Sequence, residues 1–165
     1  MDANYEIDLA RKDDIDAVLD LQERNLAHRG GTLSARFSQA WFETAIAAMP
    51  VIVARRAGQV VGYLVSSPLE AYAEVSVVQA MLQAYRGASD AYVYGPICIE
   101  ETERGRGVAA AMFAALRARL PGREGVLFIR RDNEASLRAH AKMGMSEVAE
   151  FKYNDEDFAV LSYVG

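Results

Sequence analysis

Tyr92-Val-Tyr-Gly-Pro-Ile-Cys-Ile-Glu-Glu-Thr-Glu-Arg-Gly-Arg-Gly-Val-Ala109 is the stretch on which the reading turns. It opens as an apolar strand and passes through a turn holding Gly105 and Gly107. It then enters an alanine-rich run from Val108 to Leu120, with Met112, Phe113, Leu116 and Leu120 on one side of a helix. The first turn of a helix leaves backbone N–H groups unpaired and carries partial positive charge. Glycines let a phosphate reach those groups without side-chain obstruction, and Arg104 and Arg106 add cationic reach. Cations are unfavourable at a helix N-terminus, so an anionic ligand explains the two arginines better than solvation does. The turn reads as an anion cradle, and a diphosphate is its natural occupant.

Working outward, Tyr5 to Leu9 alternates as a half-buried strand does. Asp13 and Asp14 offer caps for a helix bearing Ile15, Val18, Leu19 and Leu21, which Gly30-Gly31 breaks. A second helix is expected from Ser34, with Phe37, Trp41, Phe42 and Ile46, closed by Pro50. Val51 to Ala54 and Val60 to Val65 form a hairpin around Ala57-Gly58. A short helix over 75–85 precedes the decisive strand. After it come an apolar strand at Val126 to Ile129, a helix from Asn133 to Met143 stopped by Gly144, and strands near 147–153 and 158–164 around an acidic turn at 154–157. The order β-α-α-β-β-(α)-β-α-β-α-β-β gives a mixed α/β (α+β) sheet with helices on both faces.

Gly95-Pro96 interrupts an otherwise apolar strand, where proline is confined to edges or bulges. A bulge there turns the strand from its neighbour and opens a wedge, leaving backbone groups of Ile97, Cys98 and Ile99 unpaired on one side.

Three families use such a cradle. A P-loop needs a Gly-Lys-Ser/Thr ending, which is absent. The dinucleotide fingerprint is met by Gly105-Arg-Gly-Val-Ala-Ala110, which keeps a small nicotinamide-binding oxidoreductase as an alternative. Against it, the turn falls late in the chain, and polar residues from Glu100 to Arg104 separate strand from glycine. The third fit is the GNAT superfamily of N-acetyltransferases, whose phosphate loop Arg/Gln-x-x-Gly-x-Gly/Ala is met by Arg104-Gly-Arg-Gly107-Val-Ala109. A second block, Asn133-Glu-Ala-Ser-Leu-Arg-Ala-His-Ala-Lys-Met-Gly-Met145, resembles that family's Asn-x-x-Ser/Ala-x-x-x-Tyr/His-x-x-x-Gly-Phe/Met segment. The element order is similar over nearly the whole chain.

The resemblance implies the acyl-CoA N-acyltransferase fold, a mostly antiparallel sheet with splayed middle strands. It also implies acetyl-CoA as cofactor and direct acetyl transfer to a primary amine of a small molecule or peptide. It assigns pantetheine to the main chain of Ile97, Cys98 and Ile99, and pyrophosphate to Arg104, Gly105, Arg106, Gly107, Val108 and Ala109. Asn133 would hold the pantetheine arm, and the face from Ser136 to His140 would line the thiol end. His140 stands where many members carry a tyrosine that protonates the leaving thiolate. An imidazolium can do that work, and a histidine merely packed beside the cofactor is the alternative. Glu100 and Tyr94 lie in the neighbourhood where members relay the amine proton, although both also suit plain strand positions. Cys98 reads as a buried strand residue rather than a nucleophile, and His28 as a surface histidine in a loop that in the family borders the acceptor pocket. A non-catalytic acyl-CoA-binding module remains a second alternative, because of the tyrosine-to-histidine departure. A homodimer is compatible with the resemblance.

Bulk properties agree. The chain of 165 residues, 52% hydrophobic and 25% charged, suits one domain over 1–165. A net charge of −5 argues against nucleic-acid binding. One cysteine permits no intrachain disulfide, and two distant histidines do not form a metal site. No signal peptide or membrane-spanning run is visible, so the expected compartment is the cytoplasm.

Overall fold

The computed structural model describes residues 4–26, 33 and 35–165. Its strands are β1 (Tyr5–Leu9), β2 (Val51–Arg56), β3 (Gln59–Pro68), β4 (Tyr92–Ile99), β5 (Glu124–Arg130), β6 (Ser146–Tyr153) and β7 (Glu156–Val164). Its helices are α1 (Ile15–Arg24), α2 (Gln39–Ala48), α3 (Ser76–Ala84), α4 (Val108–Arg119) and α5 (Glu134–Lys142), with 3-10 turns at Lys12–Asp14, Leu69–Tyr72 and Glu101–Glu103. Hydrogen-bonded neighbours follow the order β1-β2-β3-β4-β5-β7-β6. The pairings β1–β2, β2–β3, β5–β7 and β6–β7 are antiparallel, whereas β4 meets β5 in parallel after the α4 crossover. This is the mixed, mostly antiparallel sheet expected from the element order. The chain clusters into two compact units, Met1–Ser67 with Gly95–Arg119, and Pro68–Tyr94 with Leu120–Gly165.

In the first unit, strand alternation sends residues to two faces. Val51, Val53, Tyr63 and Val65 form one core with Ile15, Val18 and Leu21 of α1, Phe42 and Ala45 of α2, and Cys98. Burying each large side chain of such a core contributes roughly 1.5–3 kcal/mol. Gly62 points to the opposite face, where a Cβ would lie 3.3 Å from Met112 and 3.4 Å from Val108, so α4 packs directly over β3 there. Helices therefore cover both faces of this unit. The β2–β3 hairpin turns at Ala57 (φ 52°) and Gly58 (φ 77°), the left-handed pair that a two-residue turn between twisted strands requires.

Two expectations for this unit change. Helix α2 starts at Gln39, with Ser38 as its cap accepting the Trp41 N–H at 3.1 Å. The hydroxyl at 38 captures the free helix donors, and Ser34 lies outside the described residues, as do Gly30, Gly31 and His28. Asp14 occupies the N-cap position of α1 but makes no side-chain cap bond. Its carboxylate instead takes the Arg11 N–H at 2.8 Å and Arg55 at 2.7 Å, because the buried guanidinium is the stronger partner.

In the second unit, β5 pairs with β7 along its whole length. Val126, Leu127 and Ile129 are buried, as the wholly apolar run predicts, and Phe128 is half-buried in a ring cluster with Phe151 and Phe158. Gly125 leaves room for Tyr163, whose ring would lie 2.3 Å from any Cβ there. The β6–β7 turn is only Asn154 (φ 49°) and Asp155 (φ 63°), so Glu156 and Asp157 already belong to the strand. The segment after α3 is tied down by Glu124, whose carboxylate accepts the Tyr85 hydroxyl at 2.6 Å, the Ala88 N–H at 2.7 Å and the Ser162 hydroxyl. Burial pushes this carboxyl up, but the bonds from Ser162, Tyr85 and Ala88 outweigh it and leave it below the usual range. Asn133 caps α5 by accepting the Ser136 N–H at 3.3 Å, and Gly144 at φ 94° ends it. Among the described residues, no helix is long and apolar enough to cross a membrane.

Candidate active site

β4 carries two different neighbourhoods along its length. Its first half pairs in parallel with β5 at Tyr92↔Gly125 and Val93↔Val126. The Gly95-Pro96 peptide that follows is cis, with Gly95 at φ 121°. The far end of the strand is held by β3, since the Glu100 N–H bonds the Val61 carbonyl at 2.8 Å. Ile97 and Ile99 are half-buried, and Cys98 is buried in the α1/α2 core. Burial pushes the Cys98 thiol up to about 12, which leaves it protonated and unsuited to nucleophilic work.

Beyond β4 the Glu101–Glu103 turn is anchored by Glu103, which accepts the Tyr5 hydroxyl at 2.5 Å and pairs with Arg56 at 2.8 Å. The bond from Tyr5, with Arg56 beside it, holds this carboxyl below its ordinary value despite burial. The chain then turns through Gly105 (φ 75°) and Gly107 (φ 82°), both exposed. A Cβ at either position would meet nothing within 4 Å. Helix α4 starts immediately, with the Ala111 N–H on the Gly107 carbonyl at 3.0 Å, so the helix's first amide groups stand at this glycine turn. An open, left-handed glycine corner at a helix start is the geometry an anion requires.

The two arginines of this corner differ. Arg104 donates from Nε to the Ile99 carbonyl at 3.1 Å and from Nη2 to Asn25 Oδ1 at 2.6 Å. Arg106 is exposed and makes no hydrogen bond or ion pair among the described residues. Glu100 pairs with Arg24 at 2.5 Å. Neither Arg24 nor Asn25 was visible as a site residue in the sequence. Their only local signal is their place at the end of an amphipathic helix, and nothing local connects them to positions 100 and 104.

In the second unit the structure brings Tyr94 and His140 together. The Tyr94 hydroxyl lies 3.0 Å from His140 Nε2, and Nδ1 lies 2.8 Å from the Ser136 carbonyl, with the Ser136 hydroxyl at 3.3 Å. A carbonyl only accepts, so Nδ1 carries the hydrogen and Nε2 accepts from Tyr94. Both side chains are buried, at 3% and 4% exposure, which decides their protonation. Desolvation lowers the His140 pKa, partly offset by the bond to Ser136, and burial raises that of Tyr94. Near neutrality the pair is therefore a neutral imidazole and a neutral phenol. The imidazolium considered from the sequence is not the favoured form here. Tyr94 also packs edge-on against Tyr163, and Tyr92 shares a hydroxyl contact of 2.5 Å with Tyr163.

Comparison with known proteins bears on this geometry. Residues 15–145 match the model of the acetyltransferase (GNAT) family. Among solved structures, an N-acetyltransferase from Staphylococcus aureus Mu50 aligns with a TM-score of 0.69 at 20% identity, over 98% of each chain. The putative acetyltransferase yncA from Salmonella typhimurium, solved with its cofactor acetyl-CoA, aligns with a TM-score of 0.71 at 18% identity, over 98% of this chain and 94% of that one. Naa50 from Arabidopsis thaliana, in complex with the bisubstrate analogue CoA-Ac-MVNAL, gives 0.71 at 15% identity, over 98% and 99%. These likenesses show a shared fold. Comparison with curated protein sequences gives no match. With the family model spanning most of its length and both motif blocks in place, the chain belongs to the GNAT acetyltransferase family.

Proposed function

We propose that this protein transfers the acetyl group of acetyl-CoA directly to the primary amine of an acceptor, with no covalent enzyme intermediate. The observation that carries the reading is the open glycine corner at Gly105 and Gly107, with positive φ, empty space where a Cβ would stand, and the start of α4 beside it. A diphosphate fits that corner. Bound acetyl-CoA supplies an activated thioester; everything else falls to the chain's own residues.

Backbone amides of residues 105–109 hold the pyrophosphate, with Arg106 supplying cationic charge. Main-chain groups of Ile97 and Cys98 align the pantetheine, and one strand N–H polarises the thioester carbonyl. The Ile99 carbonyl already accepts from Arg104, so Ile99 offers its N–H. Asn133 and Ser136 hold the pantetheine arm in addition to starting α5. Glu100 receives the amine proton, directly or through water. The Tyr94 hydroxyl, whose hydrogen rests on His140 Nε2, swings that hydrogen to the leaving sulfur, and solvent then restores the phenol. Cys98 keeps its thiol protonated and so offers no competing nucleophile. The acceptor is a small-molecule or peptide amine.

The test is release of free CoA thiol when purified protein is mixed with acetyl-CoA and a panel of polyamines, aminoglycosides, amino acids and peptides. Amine-dependent thiol release with a mass gain of one acetyl group on one acceptor supports the reading. Saturable CoA binding without transfer to any amine favours the binding-module alternative instead.

A further inference from the structure

Arg104 is the first residue of the phosphate-loop motif, yet its guanidinium is committed elsewhere. Nε donates to the carbonyl at the end of β4, Ile99, at 3.1 Å. Nη2 donates to Asn25 Oδ1 at 2.6 Å, across 79 positions of sequence. Asn25 is itself a buried hub at the end of α1. Its Nδ2 donates to the Leu21 carbonyl at 2.9 Å, its N–H to Gln22 at 3.0 Å, and its carbonyl accepts the Leu33 N–H at 3.0 Å. The planar fork of arginine suits two acceptors at fixed angles in a way the point charge of lysine does not. Two residues along, Arg106 is exposed and makes no hydrogen bond or ion pair among the described residues, its charge acting on Glu103 only through space.

We propose that Arg104 is a positioning residue, not the phosphate cation, and that it braces the strand-to-loop junction against Asn25 of α1 while Arg106 meets the pyrophosphate. This division rests on the acetyl-CoA reading above. Its consequence is that the amides of the glycine corner and the main chain of Ile97 to Ile99 keep their relative placement through a bond to another element. Losing the brace weakens cofactor binding by loosening the site, whereas losing Arg106 weakens it by removing charge.

The distinction is measurable, because salt screens an exposed charge–phosphate attraction but hardly touches a neutral-acceptor brace. Calorimetric titration with CoA, at NaCl from low to high ionic strength, is run on wild type, Arg104→Gln, Arg104→Lys, Asn25→Ala, Arg104→Gln with Asn25→Ala, and Arg106→Gln. The brace predicts that Arg104→Gln and Asn25→Ala each weaken CoA binding about tenfold and keep the wild-type salt dependence. It further predicts that their combination is no weaker than Arg104→Gln alone, since partners of one bond are not additive. Arg106→Gln flattens the salt dependence. Arg104→Lys folds with its charge intact and still binds weakly, which keeps the test open if Asn25→Ala proves unstable. Rescue by lysine, or a flattened salt dependence in Arg104→Gln with additive loss in the double variant, overturns the brace while leaving the acetyl-CoA reading standing. A wild-type protein with no affinity for CoA removes that reading, and this inference with it.

Discussion

Replacing Gly107 by alanine separates the cost of a backbone conformation from the loss of a ligand. Gly107 sits at φ 82°, and no atom lies within 4 Å of the position its Cβ would take. The variant therefore meets no clash in the protein; it carries only the left-handed strain, roughly 1–2 kcal/mol. Reduced freedom of the unfolded chain offsets about 0.4–1 kcal/mol of that. The net loss of about 1 kcal/mol lowers Tm by roughly 2–4 °C in a domain of this size. Affinity should change far more. A methyl group in the corner blocks a phosphate from one or two amides, and hydrogen bonds to a charged group are worth about 1.5–3 kcal/mol. At 1.4 kcal/mol per factor of ten, CoA binding weakens by roughly 10- to 100-fold. Gly122 is the control, with φ 75° and equally open surroundings in the loop after α4, away from any motif. Gly122→Ala should lose the same Tm and bind CoA as wild type does. Differential scanning fluorimetry and isothermal titration read the two quantities separately. Equal CoA affinity in Gly107→Ala and Gly122→Ala, in either direction, would refute the assignment of the corner to a phosphate.

Three further outcomes follow from the side chains. His140 has a folded pKa below its unfolded value, so its contribution is complete above about pH 6.5 and is lost as the unfolded chain takes up a proton first. Chemical denaturation between pH 7 and 5 should show wild type losing stability by up to about 1.4 kcal/mol per pH unit more than His140→Gln does; parallel slopes would place the ring in solvent. Glu124→Ala removes a buried acceptor of three bonds and should cost about 2–4 kcal/mol, read as a lower urea midpoint, with transfer chemistry per folded molecule unchanged. Because the Glu124 pKa is depressed, that contribution is present above the usual carboxylate range and fades as pH falls through the folded value. Cys98, pushed up to about 12 in the α1/α2 core, should resist iodoacetamide at pH 8 until denaturant is added, and Cys98→Ser should keep acetyl transfer. Rapid alkylation of the native protein would contradict the buried placement.

What could be read from sequence was whatever a residue does to its own neighbourhood. Gly105 and Gly107 mark left-handed backbone because only glycine takes it cheaply, and Ala57-Gly58 marks a hairpin for the same reason. Asn133 announces its helix because its side chain bonds an amide three residues on. The departures arise where a distant partner outbids a local one. Asp14 looks like a cap, but Arg55 on β2 takes its carboxylate. Arg104 reads as a phosphate contact from its motif, and in the fold its guanidinium also reaches Asn25 on α1, a partner the motif does not announce. The pairing of Tyr94 with His140 joins β4 to α5 across 46 positions, a contact no local pattern encodes. Its effect, a histidine held neutral by burial, changes the chemistry expected of that position.

Calorimetric titration of the wild-type protein with acetyl-CoA at moderate salt tests the central claim most directly. One saturable site per chain, competed by CoA and weakened in Gly107→Ala but not in Gly122→Ala, is the predicted result. Absence of binding at millimolar acetyl-CoA, or binding indifferent to Gly107→Ala, would contradict it.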